Sequence, residues 1–173
     1  MEIWYRMTTV RPERDGDVEA IHYINRLAFD TAAEARLVDL LRERGKLLLS
    51  LVAEHHGQAV GHIVFTRVIA ESRPELRGVG LGPMAVVPSL QRRGIGSLLV
   101  QAGLAECLAI ASDFAVVLGH PHYYPRFGFA PASRFGLRCS WQVPDDVFMA
   151  LEFRPGTLAG AAGLVQYQPE FNE

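Results

Sequence analysis

Near the middle of the chain, Gln91-Arg92-Arg93-Gly94-Ile95-Gly96-Ser97 joins two cations to two glycines at the head of an apolar run. Such a junction reads as the start of a helix. The first turn of any helix leaves backbone N–H groups unpaired, and the aligned peptide dipoles put partial positive charge there. Glycine removes the Cβ that would hold a ligand away, and it permits positive φ where the chain must curl around an anion. Arg92 and Arg93 add full charges beside it. The chemistry this spacing suits is phosphate binding; the competing reading is a tight turn carrying an exposed arginine pair.

Two common phosphate sites do not fit. A P-loop needs a lysine between its last glycine and the Ser/Thr, yet Ser97 follows Gly96 directly. A dinucleotide fingerprint needs its glycines between a strand and a helix. Gly78, Gly80 and Gly82 lead instead into Pro83 and a β-rich run.

The elements that must position the central stretch can be read around it. "GVGLGPMAVVP" reads as a strand stopped by Pro88, and a helix follows from about Ile95 to Ala111. Its apolar residues lie on nearly all sides, as in a crossover helix packed deep against a sheet. "DFAVVLG" reads as a short buried strand parallel to the one before that helix. Upstream, "LLLSLVAEHHGQAVGHIVFTRVIA" is two β-rich runs split by a turn at His55-His56-Gly57-Gln58. Two helices precede it. One has Val18, Ile21, Ile24 and Ala28 at helical spacing, with Asp15 or Asp17 as N-cap; the other opens on a capping box at Thr31 and Glu34 and ends at Gly45. A strand is expected near Met7–Arg11, and antiparallel strands in "GFAPASRFGLRCSW" and "DVFMALEFRP". Trp4 and Tyr5 read as edge packing or a loose start, and the Gly/Ala-rich tail from Gly156 has no assignment. The order predicts an α/β (α+β) domain with a mixed sheet.

Bulk properties narrow the function. A chain of 173 residues, 49% hydrophobic and 21% charged, suits a single domain spanning 1–173. Seventeen basic against nineteen acidic residues give a formal charge of −2, so no global field favours nucleic acid or an anionic membrane. Two distant cysteines, Cys107 and Cys139, make neither a metal site nor a disulfide framework, and Cys107 reads as a small buried hydrophobe. No segment reaches the roughly 18 apolar residues of a membrane span, and the first residues lack a signal-peptide core. A soluble protein of a reducing compartment, the cytoplasm, is expected.

"LGPMAVVPSLQRRGIGSLL" closely resembles the acetyl-CoA-binding motif of the GNAT superfamily of N-acetyltransferases, a strand followed by Gln/Arg-x-x-Gly-x-Gly/Ala. "YYPRFGF" resembles the Tyr-x-x-x-Gly-Phe element after that family's fifth strand. "VRPERDGDVEAI" and "EHHGQAVGHIVF" resemble its first strand–helix and its central hairpin. "SLVAE", "VGH" and "DDVFMALEF" further resemble the YhbS-like subgroup, whose members are mostly acetyltransferases by sequence assignment only. The resemblance covers nearly the whole chain.

It implies a GNAT-like acyl-CoA N-acyltransferase fold in which two central strands splay apart. Gln91, Arg92, Arg93, Gly94, Ile95, Gly96 and Ser97 would wrap the CoA pyrophosphate, and Met84, Ala85 and Val86 would pair with the pantetheine arm as with an added strand. A backbone N–H on that strand would stabilise the oxyanion. The implied activity is acetyl transfer from acetyl-CoA to a primary amine of a small molecule or protein, without a metal. Tyr124, five residues before Phe129, stands where the family's general-acid tyrosine occurs, with Tyr123 as a packing residue or in the reverse role. Many relatives carry a glutamate on or beside the splayed strand; "GPMAVV" offers none. His120, His122, His62 on the hairpin, or a chain of waters remain as the base, since an imidazole has a suitable pKa. The missing glutamate also leaves a second reading, an acyl-CoA-binding sensor without catalysis. The family often forms homodimers, which no residue pattern here specifies.

Overall fold

A computed structural model describes residues 7–173; Trp4 and Tyr5 lie outside the described residues. The strands β1 (Thr8–Pro12), β2 (Leu47–His55), β3 (Gln58–Ala70), β4 (Gly78–Val86), β5 (Phe114–Leu118) and β8 (Phe148–Glu152) carry most of the sheet. Short strands β6 (Ala130–Pro131), β7 (Leu137–Arg138) and β9 (Gly163–Gln166) complete it. The order along the sheet is β1-β2-β3-β4-β5-β8-β6, with β9 pairing β3 and β7. β4 and β5 run parallel, while their other neighbours along that path run antiparallel. The mixed α/β sheet expected from the element order is therefore the observed one.

Helices cover both faces because β3 alternates its side chains. Ile63 and Phe65 meet Leu99, Val100 and Cys107 of α3 (Ile95–Ala109) on one face. Val64 points the other way, to Ile21 of α1 (Val18–Ala28) and Val38 of α2 (Ala33–Glu43). α3 lies close on the sheet because residue 103 is glycine. A Cβ there would come within 2.4 Å of the Phe65 ring. Buried Cys107 behaves as the small hydrophobe its setting suggested.

Local expectations fail where long-range partners compete. Asp17 does not cap α1 with its side chain; the Arg11 guanidinium holds its carboxylate at 2.7 and 3.0 Å, and it accepts the Arg14 N–H at 2.7 Å. Thr31 makes no reciprocal capping box, because α2 begins only at Ala33, whose N–H donates to Thr31 Oγ1. "GFAPASRFGLRCSW" is not one strand: a 3₁₀ turn at Ala132–Phe135 and left-handed Gly136 divide it into β6 and β7. The unassigned tail supplies β9, which pairs with Ile69 and Ala70. α3 is also less enclosed than its composition suggested, with Leu108 and, just past its end, Ile110 exposed.

Candidate active site

β4 and β5 stay paired only from Gly78 opposite Phe114 to Leu81 opposite Val117. β4 then runs on to Val86 with β3 alone as its neighbour. The cause lies in its own sequence. Between Leu81 opposite Phe65 and Met84 opposite Ile63, β4 advances three residues while β3 advances two. The extra residue is a β-bulge at Gly82–Pro83, and bulges bend the strand that carries them. Gly82 takes φ +128°, which suits glycine, and Pro83 has no N–H to give a ladder. The splay expected from the family resemblance is thus present, and among the described residues no strand pairs with one edge of Gly82–Val86.

A cleft of about 870 Å³ opens along this edge. Met84, Ala85, Val86, Gln91, Arg92, Gly94, Gly96 and Ser97 of the expected set line it. Two residues of the expected set do not form its wall. Ile95 buries its side chain in the core under α3, and Arg93 is exposed, so Ile95 can contribute only through its backbone. Gln91 turns its amide to Val86 O at 2.9 Å, tying the loop to the end of β4.

The head of α3 is built to receive an anion. Arg92 (φ +60°) and Gly94 (φ +86°) are both left-handed, which curls the loop into a concavity. Leu98 N–H to Gly94 O, 3.0 Å, is the first bond of the helix. The amides of Ile95, Gly96 and Ser97 precede it and have no intrahelical acceptor. Beside them sits the phenol of Tyr123, which the sequence offers as a packing residue or as the acid in place of Tyr124. Tyr123 Oη lies 3.4 Å from Ser97 Oγ and would be 2.9 Å from a Cβ on residue 96. Arg126 stacks over the Tyr123 ring at 4.1 Å and also lines the cleft. Both belong to "YYPRFGF", a motif recognised for its tyrosine and glycine rather than for its arginine.

Tyr124 lines the middle of the cleft and is 6% exposed. Its ring fills the space above Gly119, where a Cβ would come within 2.2 Å, and packs edge-on against Phe129 at 5.8 Å. Burial, with the neighbouring Tyr123 phenol, pushes its pKa well above the ordinary 10. It is therefore protonated throughout the physiological range.

The three histidines separate. His120 lines the cleft, whereas exposed His122 does not. His62 is fully buried on the opposite face of β3, away from the cleft, against the expectation that it would face it. Its Nδ1 accepts from Asn25 Nδ2 (3.1 Å) and its Nε2 donates to Ser50 Oγ (2.9 Å). Ser50 in turn donates to Glu13, which Arg42 holds at 2.8 Å. Burial lowers the His62 pKa to about 4. Burial opposes ionisation of Glu13 too, yet Arg42 and Ser50 keep it below its usual value. This chain of contacts ties β2 and β3 to α1 and to the loop before it.

Three further residues that line the cleft, Glu34, Tyr167 and Phe171, carried no functional signal in the sequence. They come from the start of α2 and from the tail, and only the folded chain brings them together. Among the described residues no cluster of three His, Cys, Asp or Glu could hold a metal ion, and no helix is long and apolar enough to cross a membrane.

Residues 47–131, which hold the bulge, the nest and Tyr124, match the family model for the acetyltransferase (GNAT) domain. Escherichia coli K12 YhbS, described as an uncharacterised N-acetyltransferase, is 36% identical over 94% of this chain and 98% of its own. The chain belongs to the GNAT family. A second relative, YjhQ of the same organism, also described as an uncharacterised N-acetyltransferase, is 35% identical over 83% of this chain and 84% of its own. Two solved GNAT structures carry the ligand class. Escherichia coli YhbS in complex with CoA superposes with a TM-score of 0.92, at 35% identity over 96% of this chain and 93% of that one. A Brucella melitensis GNAT acetyltransferase in complex with acetyl-CoA gives 0.78, at 33% identity over 95% and 97%.

Proposed function

We propose that this chain transfers the acetyl group of acetyl-CoA to a primary amine by direct attack. The observation that carries the reading is the parting of β4 from β5 at Gly82–Pro83, directly beside the open head of α3. The residues present fit the ligand that the YhbS and Brucella structures hold. The amides of Ile95, Gly96 and Ser97, with Arg92 and Arg126 close by, suit a pyrophosphate. The free edge of Met84–Val86 suits an extended pantetheine arm.

Acetyl-CoA supplies an activated thioester carbonyl. A β4 amide on the free edge would polarise that carbonyl and hold the oxyanion as the amine nitrogen bonds to carbon. As the C–S bond breaks, Tyr124 gives its proton to the leaving sulfur and recovers one from solvent. The two protons the amine must lose, one before attack and one after, leave through His120 or through water in the open cleft. Much of the acceleration comes from holding amine and thioester together.

One observation favours a second reading, an acyl-CoA-binding sensor: β4 carries no carboxylate from Gly82 to Val86. Release of free thiol from acetyl-CoA over a panel of amines, beside calorimetric titration with CoA, decides. Thiol release with an amine supports the transferase. CoA binding with no turnover on any amine overturns it in favour of the sensor.

A further inference from the structure

The cleft wall carries charges of both signs. Arg92 and Arg126 stand at the end formed by the head of α3, and Glu34 is the one carboxylate among the described residues that line the cleft. Glu34 has no ion-pair partner among the described residues; its polar contact is Thr31 Oγ1 at 3.4 Å. Many other acids of the chain do have a cation, including Asp17, Glu13, Glu54, Asp113 and Glu173. A half-buried carboxylate left unpaired in the wall of a cleft can take a cation from outside.

The walls around it are apolar. Phe29, at the end of α1, lines the same cleft as Tyr167 and Phe171 of the tail, and so do Leu81 and Leu118 of the two parting strands. The two tail rings meet edge to face at 5.2 Å, and Tyr167 is backed by Trp141 at 5.1 Å. The tail is held in place at three points. β9 pairs with Ile69 and Ala70, Gln168 Nε2 donates to Arg67 O at 2.9 Å, and Arg44 grips Glu173 at 2.5 and 3.1 Å. The rings therefore form a fixed wall rather than a loose end.

We infer that the acceptor is a primary monoamine carried on an apolar, aromatic-sized body, with Glu34 receiving the ammonium and Phe29, Tyr167 and Phe171 enclosing the body. This rests on the transferase reading for its chemistry but on the cleft alone for its selectivity. A single carboxylate suits one positive charge, and aromatic faces favour an ammonium beside them. A polyamine would leave its further charges against apolar walls, and a small polar amine would leave those walls unfilled.

The test uses three probes, 2-phenylethylamine, spermidine and glycinamide, each titrated calorimetrically into the CoA-loaded protein and assayed for thiol release with acetyl-CoA. The expected result is at least about tenfold tighter binding of 2-phenylethylamine than of the other two, about 1.4 kcal/mol. E34Q should weaken that binding about tenfold while the Kd for acetyl-CoA stays unchanged. F171S should weaken 2-phenylethylamine and leave glycinamide as it was. Equal binding of the three amines, preference for spermidine, or an E34Q protein with unaltered amine affinity overturns the inference. Selective binding of 2-phenylethylamine without thiol release from any amine supports it and removes the transferase reading instead.

Discussion

At Tyr124, burial and the adjacent Tyr123 phenol both raise the cost of a phenolate, so the side chain keeps its proton until a strong base forms beside it. A thiolate leaving into the same enclosed site becomes more basic as well, which makes the transfer between them workable. Y124F should lower kcat by about a hundredfold or more and leave the Kd for acetyl-CoA unchanged, as single-turnover kinetics and calorimetry would read. A variant with full kcat across the pH range would end the assignment. His62 makes a different claim, on stability. Its pKa is about 4 in the folded chain against 6.5 for the free side chain, so the unfolded chain binds the extra proton. Its contribution is therefore complete above about pH 6.5 and is lost as pH falls toward 4, on the order of 3 kcal/mol in all. Urea titrations at pH 7, 5.5 and 4.5 should show that decline, and H62Q should flatten it within this window. Loss of the Glu13 contribution follows at still lower pH, because its folded pKa is depressed.

Among the elements, the β4–α3–β5 unit was legible in the chain because its signals are local. A β-rich run, a glycine-opened helix and a second apolar run follow one another within Gly78–Leu118. The family motif added which edge would open, and the bulge at Gly82–Pro83 shows how. β6 and β7 were read as one strand, and β9 was not read at all. Each is short, and their partners lie far away in sequence, as with Val165 opposite Ala70. Their pattern is set by neighbours that no window of the chain contains. The same holds for His62: alternation along β3 says that it faces away from Ile63, but only the packed helices show that this side is a closed polar core. Glu34 was visible as a helix-start residue and invisible as a cleft wall for the same reason. The closeness of α3 to the sheet brings its own expectation. G103A places a methyl carbon against the Phe65 ring and should cost about 1–3 kcal/mol, seen as a lower Tm. An unchanged Tm would mean that α3 can shift outward freely.

For the molecule as a whole, one cleft joins the parts that fold from distant stretches: α1–α2, the β4–β5 parting and the tail all contribute to its wall. Ligand binding should therefore stabilise the entire chain. With acetyl-CoA at a hundred times its Kd, linkage gives about 2.7 kcal/mol. For a chain of this size that corresponds to a Tm rise of roughly 5–10 °C by differential scanning calorimetry. R92A should shrink the rise by weakening the phosphate end, and an equal rise in R92A would remove that residue from the site. The grip of Arg44 on Glu170 and Glu173 has a practical consequence at the bench. Residues 169–173 brace one wall of the cleft proposed above to take the amine, so a purification tag fused behind Glu173 would sit next to the surface on which that selectivity rests. Substrate screens should be run on protein tagged at the other end, or with the tag cleaved, lest the handle be read as the enzyme's own selectivity.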